Sequence, residues 1–447
     1  MEQNDRTTTL STTSFSNLVV FGDSLSDAGN VFEASGGLFP PSPPFANGRF
    51  SNGDLIVDII ADEFGLPENT SYLLGGSNYA FAGATTGEGT SFTGFFDILP
   101  APIEVPNIAG QIDIYLSTQT PQETDLFYIL GGGNDIVFTV GEGEQSPTPE
   151  SLVDNITNNI TELAQSGAKT FVVPNLPPLD IIPLFSDESP ETIATISNIT
   201  NSFNQLLDQQ LDTIATDLNV TIIEPDLNSI VTELIANADQ LGFTNTTQSV
   251  IDFDSGLFIG DPNEFFFWDF IHPTTAVNQI VATEVIENIS LELARNTLSD
   301  QLIRFRNTDI PTGTYLFAGE EEANSVRNSF VPPFLEEGVA FNVSLEQQDG
   351  LVRFNRFRNN FISGTYIFAS EEESIDIRAN FGDTFTEEGT AFYTYASDAG
   401  IGEDVFRFRN INNNTYIFAF GDEARDIRAN FSDTFIEEGV AFETIVA

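Results

Sequence analysis

Residues 17–30 read NLVVFGDSLSDAGN. Leu18–Phe21 is an unbroken apolar run that ends in a Gly-Asp-Ser turn. A short run without polar alternation, bounded by turn residues, predicts a strand buried on both faces, as in a parallel sheet. The turn carries a serine at the strand's carboxyl end, the edge where open α/β sheets bind their ligands.

The pattern continues outward to about residue 300 as strand, loop and helix in alternation. SNGDLIVDIIADEFG (51–65) has the spacing of an amphipathic helix, with Ser51 or Asn52 available as its cap. SNYAFAGA (77–84) and DLFYILGGG (125–133) read as strands, and TPESLVDNITNNITELAQSG (148–167) as a helix ending at Gly167. KTFVVPNLPP (169–178) is a further strand, residues 189–219 a long helix and VTIIEPD (220–226) a strand. A last helix is expected just after His272, with Pro273 in its first turn. This alternation predicts an α/β domain built on a parallel sheet.

The chain has 447 residues, no cysteine, one histidine, and 15 basic against 67 acidic residues. The missing cysteine excludes disulfides, cysteine nucleophiles and thiolate metal sites. A formal charge of −52 argues against nucleic acid and anionic membranes as partners. It fits high salt, a cation-rich extracellular setting, or simply a well-solvated acidic surface. No apolar run has the length of a membrane span, and the first residues show no charged segment followed by an apolar one. Four basic residues (Arg6, Arg49, Lys169, Arg295) serve residues 1–300, whereas 301–447 hold eleven arginines and no lysine. That shift marks a boundary. The expected organisation is a flexible segment over 1–15, the α/β domain over 16–298 and an accessory module over 299–447.

The accessory region repeats three times. RFRNTDIPTGTYLFAGEEEANSVRNSF (304–330) returns as RFRNNFISGTYIFASEEESIDIRANF (356–381) and RFRNINNNTYIFAFGDEARDIRANF (407–431), each followed by an EEG-x-AF segment. Each unit reads as two strands, a short polar helix and a strand. One such unit cannot bury its aromatic face alone, so the three are expected to pack together as a β-rich, β-trefoil-like module. The recurring arginines admit two readings: internal pairing with the EEG glutamates, or an exposed binding surface for a polymer or cell surface.

Four short stretches carry chemistry. Ser24 closes the first strand, where a hydroxyl needs a base and an oxyanion shell to act as a nucleophile. NYAFAGATT (78–86) offers the Gly83 N–H at a point where no side chain blocks approach. LGGGNDI (130–136) places the Asn134 amide at the end of another strand. FFFWDFIHPTTA (265–276) holds His272, the chain's only imidazole, three residues after Asp269, which is near enough to orient the ring. Taken singly, each is an ordinary turn or a lone polar residue. Together they supply a nucleophile, a base, an orienting acid and oxyanion donors.

In this combination and order the chain resembles the GDSL family of SGNH hydrolases, in the branch of plant esterase/lipases and bacterial lecithinase- or hemolysin-like enzymes. FGDSLSDAGN, NYAFAGATT, GGND and DFIH match its successive blocks, and NGRFSNGDLIVDIIADEFGLP (47–67) and VVPNLPPLDIIP (172–183) also look like this branch. The resemblance implies a flavodoxin-like three-layer domain and ester hydrolysis through an acyl-serine. In it Ser24 is the nucleophile, His272 the base and Asp269 the orienting acid, with an oxyanion hole from the Ser24 and Gly83 N–H groups and the Asn134 side chain. It implies no cofactor and no metal. The substrate would be a small-molecule or lipid ester. GGLFPPSPPF (36–45), residues 90–106 and FFFW (265–268) are candidates for an apolar acyl pocket, or ordinary packing.

The repeats resemble units appended to bacterial, notably cyanobacterial, extracellular proteins. An extracellular location is therefore expected, with a cytoplasmic one as the alternative. A rival reading makes the chain a surface-binding protein whose working part is the repeat module. LGGGNDIVF (130–138) is superficially similar to a glycine-aspartate calcium repeat, but it occurs once and lies in a strand-turn, so no metal site is assigned.

Overall fold

The computed structural model describes residues 15–93, 103–138, 148–252, 257–310, 315–329 and 334–446. Residues 1–14, and residues 94–102 of the stretch 90–106 expected to line an acyl pocket, lie outside the described residues. The chain divides into two compact units, Ser14–Ile289 and Ser290–Ala447.

In the first unit four parallel strands, β1 (Asn17–Gly22), β2 (Asp125–Leu130), β3 (Thr170–Val172) and β4 (Thr221–Ile223), lie in the order β1-β2-β3-β4. All six residues of β2 are buried, as its unbroken apolar run predicts. The NYAFAGA stretch differs from expectation. It is an extended segment, not a full strand, held to the outer edge of β1 by a parallel bridge between Val20 and Asn78. Tyr79 N donates to Val20 O (2.7 Å) and Phe81 N to Gly22 O (3.1 Å), and then the chain turns away toward Gly83. Counted as a lane in chain order, it gives the sheet the order 2-1-3-4-5. That is the flavodoxin-like order, whose ligand crevice opens between the first and third lanes. Here those lanes are β1, which leads into the turn at Ser24, and β2, which leads into the turn at Asn134.

Helices join the lanes: α1 (Asn30–Ala34), α2 (Ile56–Glu63), α3 (Ile108–Thr118), α4 (Gly133–Val137), α5 (Pro149–Gln165), α6 (Pro190–Leu218), α7 (Leu227–Ala236) and α8 (Thr275–Thr297). Thr148 caps α5 and Ser189 caps α6, each with proline in the first turn. Two expected caps are corrected. α2 begins at Ile56, and Asp58 accepts from the Leu55 N–H (2.8 Å), so neither Ser51 nor Asn52 caps it. Asn52 instead accepts from Thr275 N (2.8 Å) and so caps α8, and Ser51 Oγ donates to the Pro273 carbonyl (2.9 Å). Pro273 accordingly precedes the first turn of α8.

The second unit contains three small antiparallel sheets. In each repeat the first strand is central and the second and third flank it: Asp300–Asn307 with Tyr315–Ala318 and Phe334–Val343, and likewise in the other two. A helix sits between the second and third strands of each: Glu320–Asn328, Glu371–Asn380 and Gly421–Asn430. The three sheets are separate in their hydrogen bonding, and this arrangement does not by itself establish the expected β-trefoil. The stretch between the second and third strands of each unit folds as the short polar helix that the sequence predicts. Among the described residues, the isolated β-bridges between the sheets are Ser344–Tyr393 and Tyr395–Glu443. The three units meet instead through one aromatic core, including Phe317, Phe341, Phe354, Phe368, Phe392, Phe418 and Phe442. Within it Phe354 and Phe392 stack at 5.2 Å.

The repeated arginines pair internally, the first of the two readings of the sequence. Arg304, Arg356 and Arg407 lie opposite Gly338, Gly389 and Gly439, whose φ of +109°, +111° and +108° suits the irregular register there. The glutamate before each glycine reaches back to that arginine: Glu337, Glu388 and Glu438 at 3.2, 3.0 and 3.1 Å. Each arginine also grips the helix of another repeat. Arg304 pairs with Glu423, Arg356 with Glu322 and Arg407 with Glu373, at 2.8, 2.8 and 2.6 Å, which closes a ring around the three units. Tyr315, Tyr366 and Tyr416 lie under the same guanidinium groups at 4.8, 5.5 and 5.7 Å. The 50- to 52-residue spacing of these arginines and tyrosines is thus the spacing of one interlock.

A stability difference follows. Arg356→Met breaks a half-buried interlock and is expected to cost about 1–2 kcal/mol, between typical exposed and fully buried pairs. Arg425→Met removes only the exposed pair with Asp422 and should leave the urea midpoint unchanged. Urea unfolding of the full chain, followed by tyrosine fluorescence, reads both. Equal midpoints in the two variants would remove the ring from the stability of the module.

Candidate active site

DFIH forms a tight turn because one aspartate oxygen organises it. Asp269 Oδ1 accepts the N–H groups of Ile271 and His272, both at 2.8 Å, and Trp268 N donates to His272 O at 2.7 Å. The other oxygen, Oδ2, is thereby aimed at His272 Nδ1, 2.7 Å away. A carboxylate only accepts, so Nδ1 carries the proton and the Nε2 lone pair faces Ser24 Oγ at 2.8 Å. Ser24 and His272 are separated by 248 residues in sequence, and both are buried, as is Asp269. Phe50 lies 5.3 Å from the imidazole and covers it.

Gly83 and Asn134 line the same cleft as Ser24 and His272. Gly83 has φ +88°, and a Cβ there would lie 3.3 Å from both the Phe92 carbonyl oxygen and Thr93 Cα. The site therefore needs glycine for its backbone direction and for space. Asn134 Nδ2 donates to the Ala84 carbonyl at 2.8 Å, which fixes the orientation of its amide. Next to it, Asp135 accepts from Thr86 N and Oγ1, both at 3.1 Å. The five residues singled out in the sequence thus come together at the carboxyl ends of β1 and β2.

Three buried carboxyl groups surround the site. Burial pushes Asp23, Asp27 and Asp135 up to about 6 each, against lowering by N–H donors. For Asp23 the neighbouring His272 also lowers the value. Among the described residues, no group of His, Asp and Glu side chains is arranged to hold a metal ion.

The remaining wall of the cleft is apolar: Phe39, Phe50, Phe138 and Ile271, with Ala82 and Thr93. Of the stretches expected to line an acyl pocket, 36–45 contributes Phe39 and 90–106 contributes Thr93. FFFW does not take part. Phe265 and Trp268 pack with Phe45, Val250 and Ile251 in a core of their own.

Sequence reasoning missed Phe50, Asn52 and Asp27. Phe50 lies in the NGRFSNG stretch, noted only as similar to the family, and Asn52 is expected there only as a possible cap of the 51–65 helix. Asp27 did carry a local signal, an Asx residue two positions before Gly29 and three before the first residue of α1.

The chain is 27% identical over 339 residues to acetylajmalan esterase 2 of Rauvolfia serpentina, covering 62% of this chain and 91% of that one. It is 27% identical over 292 residues to the thermolabile hemolysin of Vibrio parahaemolyticus, covering 61% and 63%. A solved structure from Veillonella parvula, a member of the lipolytic protein G-D-S-L family, aligns with a TM-score of 0.33 at 16% identity, over 61% of this chain and 96% of that one. Residues 18–285, more than half the chain, match the family model for GDSL-like lipase/acylhydrolase, and the chain belongs to that family of ester hydrolases.

Proposed function

We propose that the protein is a serine carboxylesterase acting on esters with short acyl groups. The hydrogen-bonded line Ser24–His272–Asp269 carries this reading. Ser24 Oγ attacks the ester carbonyl carbon while Nε2 of His272 takes the hydroxyl proton, and Asp269 holds the resulting imidazolium. The carbonyl oxygen becomes an oxyanion that accepts from the Ser24 and Gly83 N–H groups and from Asn134 Nδ2. Collapse breaks the bond to the alkoxy oxygen, which takes its proton from Nε2 and leaves as the alcohol. Water, deprotonated by the same nitrogen, then releases the acid from Ser24.

The short-acyl assignment rests on the apolar wall. Phe39, Phe50 and Phe138 crowd the cleft at Ser24, and Phe39 and Phe50 also brace each other edge-to-face at 5.5 Å. The name of the Rauvolfia serpentina relative, an acetylajmalan esterase, supports the same substrate class. The internal pairing of the repeat arginines favours this reading over the binding-protein alternative, since it occupies the groups that an exposed binding surface would use.

A series of p-nitrophenyl esters from acetate to palmitate tests the proposal with the full chain. We expect kcat/KM to be highest for acetate or butyrate, and Ser24→Ala and His272→Ala to lose at least about 1,000-fold while remaining folded. Activity surviving in either variant would sink the serine mechanism. A preference for long chains would keep the mechanism and replace the short-acyl assignment with a lipase one.

A further inference from the structure

Asp27 is wholly buried, and none of the ion pairs among the described residues involves it. Its carboxylate is held by four backbone N–H groups. Oδ1 accepts from Gly29 (2.8 Å) and Asn30 (2.5 Å), and Oδ2 accepts from Val31 (3.2 Å) and Ala82 (2.9 Å). The first three bonds are local and cap α1. The fourth crosses 55 residues of sequence to the residue immediately before Gly83.

The geometry points to Asp27 as a positioning residue that sets the spacing of the oxyanion hole, an inference that rests on the serine-esterase reading. Ser24 is three residues before Asp27, and Gly83 is one residue after Ala82. The carboxylate therefore ties together the two loops whose N–H groups must converge on one oxygen. Neighbouring bonds brace the same junction: Asn78 Nδ2 donates to Ser26 O at 2.7 Å, and Asn30 Nδ2 to Ala80 O at 2.8 Å. They end at Ser26 and Ala80, whereas the Asp27 bond reaches the residue bonded to Gly83.

Only a carboxylate meets this demand. Four donors require four acceptor positions, and an ionised Asp offers them with no donor of its own. An amide would keep one oxygen for two of the N–H groups and turn its own NH₂ against the others. A serine retains a hydroxyl able to cap the Gly29–Asn30 turn but is too short to reach Ala82. The two substitutions thus separate capping from bridging.

Asp27→Asn and Asp27→Ser, made in the full chain, test the assignment on p-nitrophenyl acetate. Both are expected to lower kcat about 10–100-fold, the scale of a misplaced oxyanion donor, with KM within about twofold. Phenylboronic acid, which forms a tetrahedral anionic adduct with a reactive serine, should bind more weakly by a similar factor. Hydrogen exchange on the unaltered protein gives a readout independent of whether the variants fold, with the Ala82 amide expected to be as protected as those of β1. Wild-type kcat in Asp27→Ser would assign the carboxylate to capping alone and overturn the inference. So would a kcat loss without weaker boronate binding, or an unprotected Ala82 amide. If the unaltered protein neither hydrolyses the ester nor binds the boronate, the serine-esterase reading itself fails.

Discussion

Asp269→Asn is expected to reduce kcat by about 10,000-fold in a protein that still folds, the scale of losing the correct imidazole tautomer in a serine triad. The magnitude follows from the different tasks of the two carboxylate oxygens. Oδ1 holds the turn through the N–H groups of Ile271 and His272, and Oδ2 holds Nδ1–H of the imidazole. An asparagine has one oxygen, and the two backbone donors claim it because they cannot reorient. Its NH₂ then faces Nδ1, which must accept, and the ring proton moves to Nε2. In that tautomer Nε2 points a hydrogen at Ser24 and cannot take its proton. The turn survives, so circular dichroism and the melting temperature should change little while turnover collapses. Steady-state kinetics on p-nitrophenyl acetate reads the effect, and a loss smaller than about tenfold would separate Asp269 from the function of His272.

What could be read beforehand divides along the range of the interactions. Ser24, Asp269 and His272 were legible because their signals are local: a strand-ending turn, a three-residue spacing and the only imidazole in the chain. The parallel sheet followed from the alternation of elements, although the NYAFAGA stretch falls short of a strand because it leaves the sheet edge to reach Gly83. Asn52 was misassigned for the opposite reason. Its position before an apolar periodic run fits a local cap, but its partner is Thr275, 223 residues away. Similarly, FFFW has the composition of a lipid-facing wall, and only its packing against Phe45, Val250 and Ile251 identifies it as core. In the repeats the spacing gave three units. It could not give the ring, because the pair Arg304–Glu423 joins the first unit to the third.

Asn134→Ala is expected to lower kcat about 100–1,000-fold with little change in KM, the scale of removing one donor from an oxyanion hole. The amide has two hydrogens and one oxygen, and the bond from Nδ2 to the Ala84 carbonyl decides how they are used. A flipped amide would set Oδ1 against that carbonyl oxygen, lone pair to lone pair, so the nitrogen is held inward with its second hydrogen free for the substrate oxygen. Asn134→Asp sharpens the test because it preserves shape while replacing the donor with an acceptor. The carboxylate would repel the Ala84 carbonyl and the developing oxyanion together, and its kcat should fall below that of Asn134→Ala. Were Asn134 only a packing residue, the near-isosteric aspartate would be the milder change and the order would reverse. The tie to Ala84 also meets the Gly83 loop on the side opposite the Asp27 bridge at Ala82. Gly83 is therefore held from both flanks, and a double variant of Asp27 and Asn134 should lose less than the product of the single losses, because both substitutions release the same peptide.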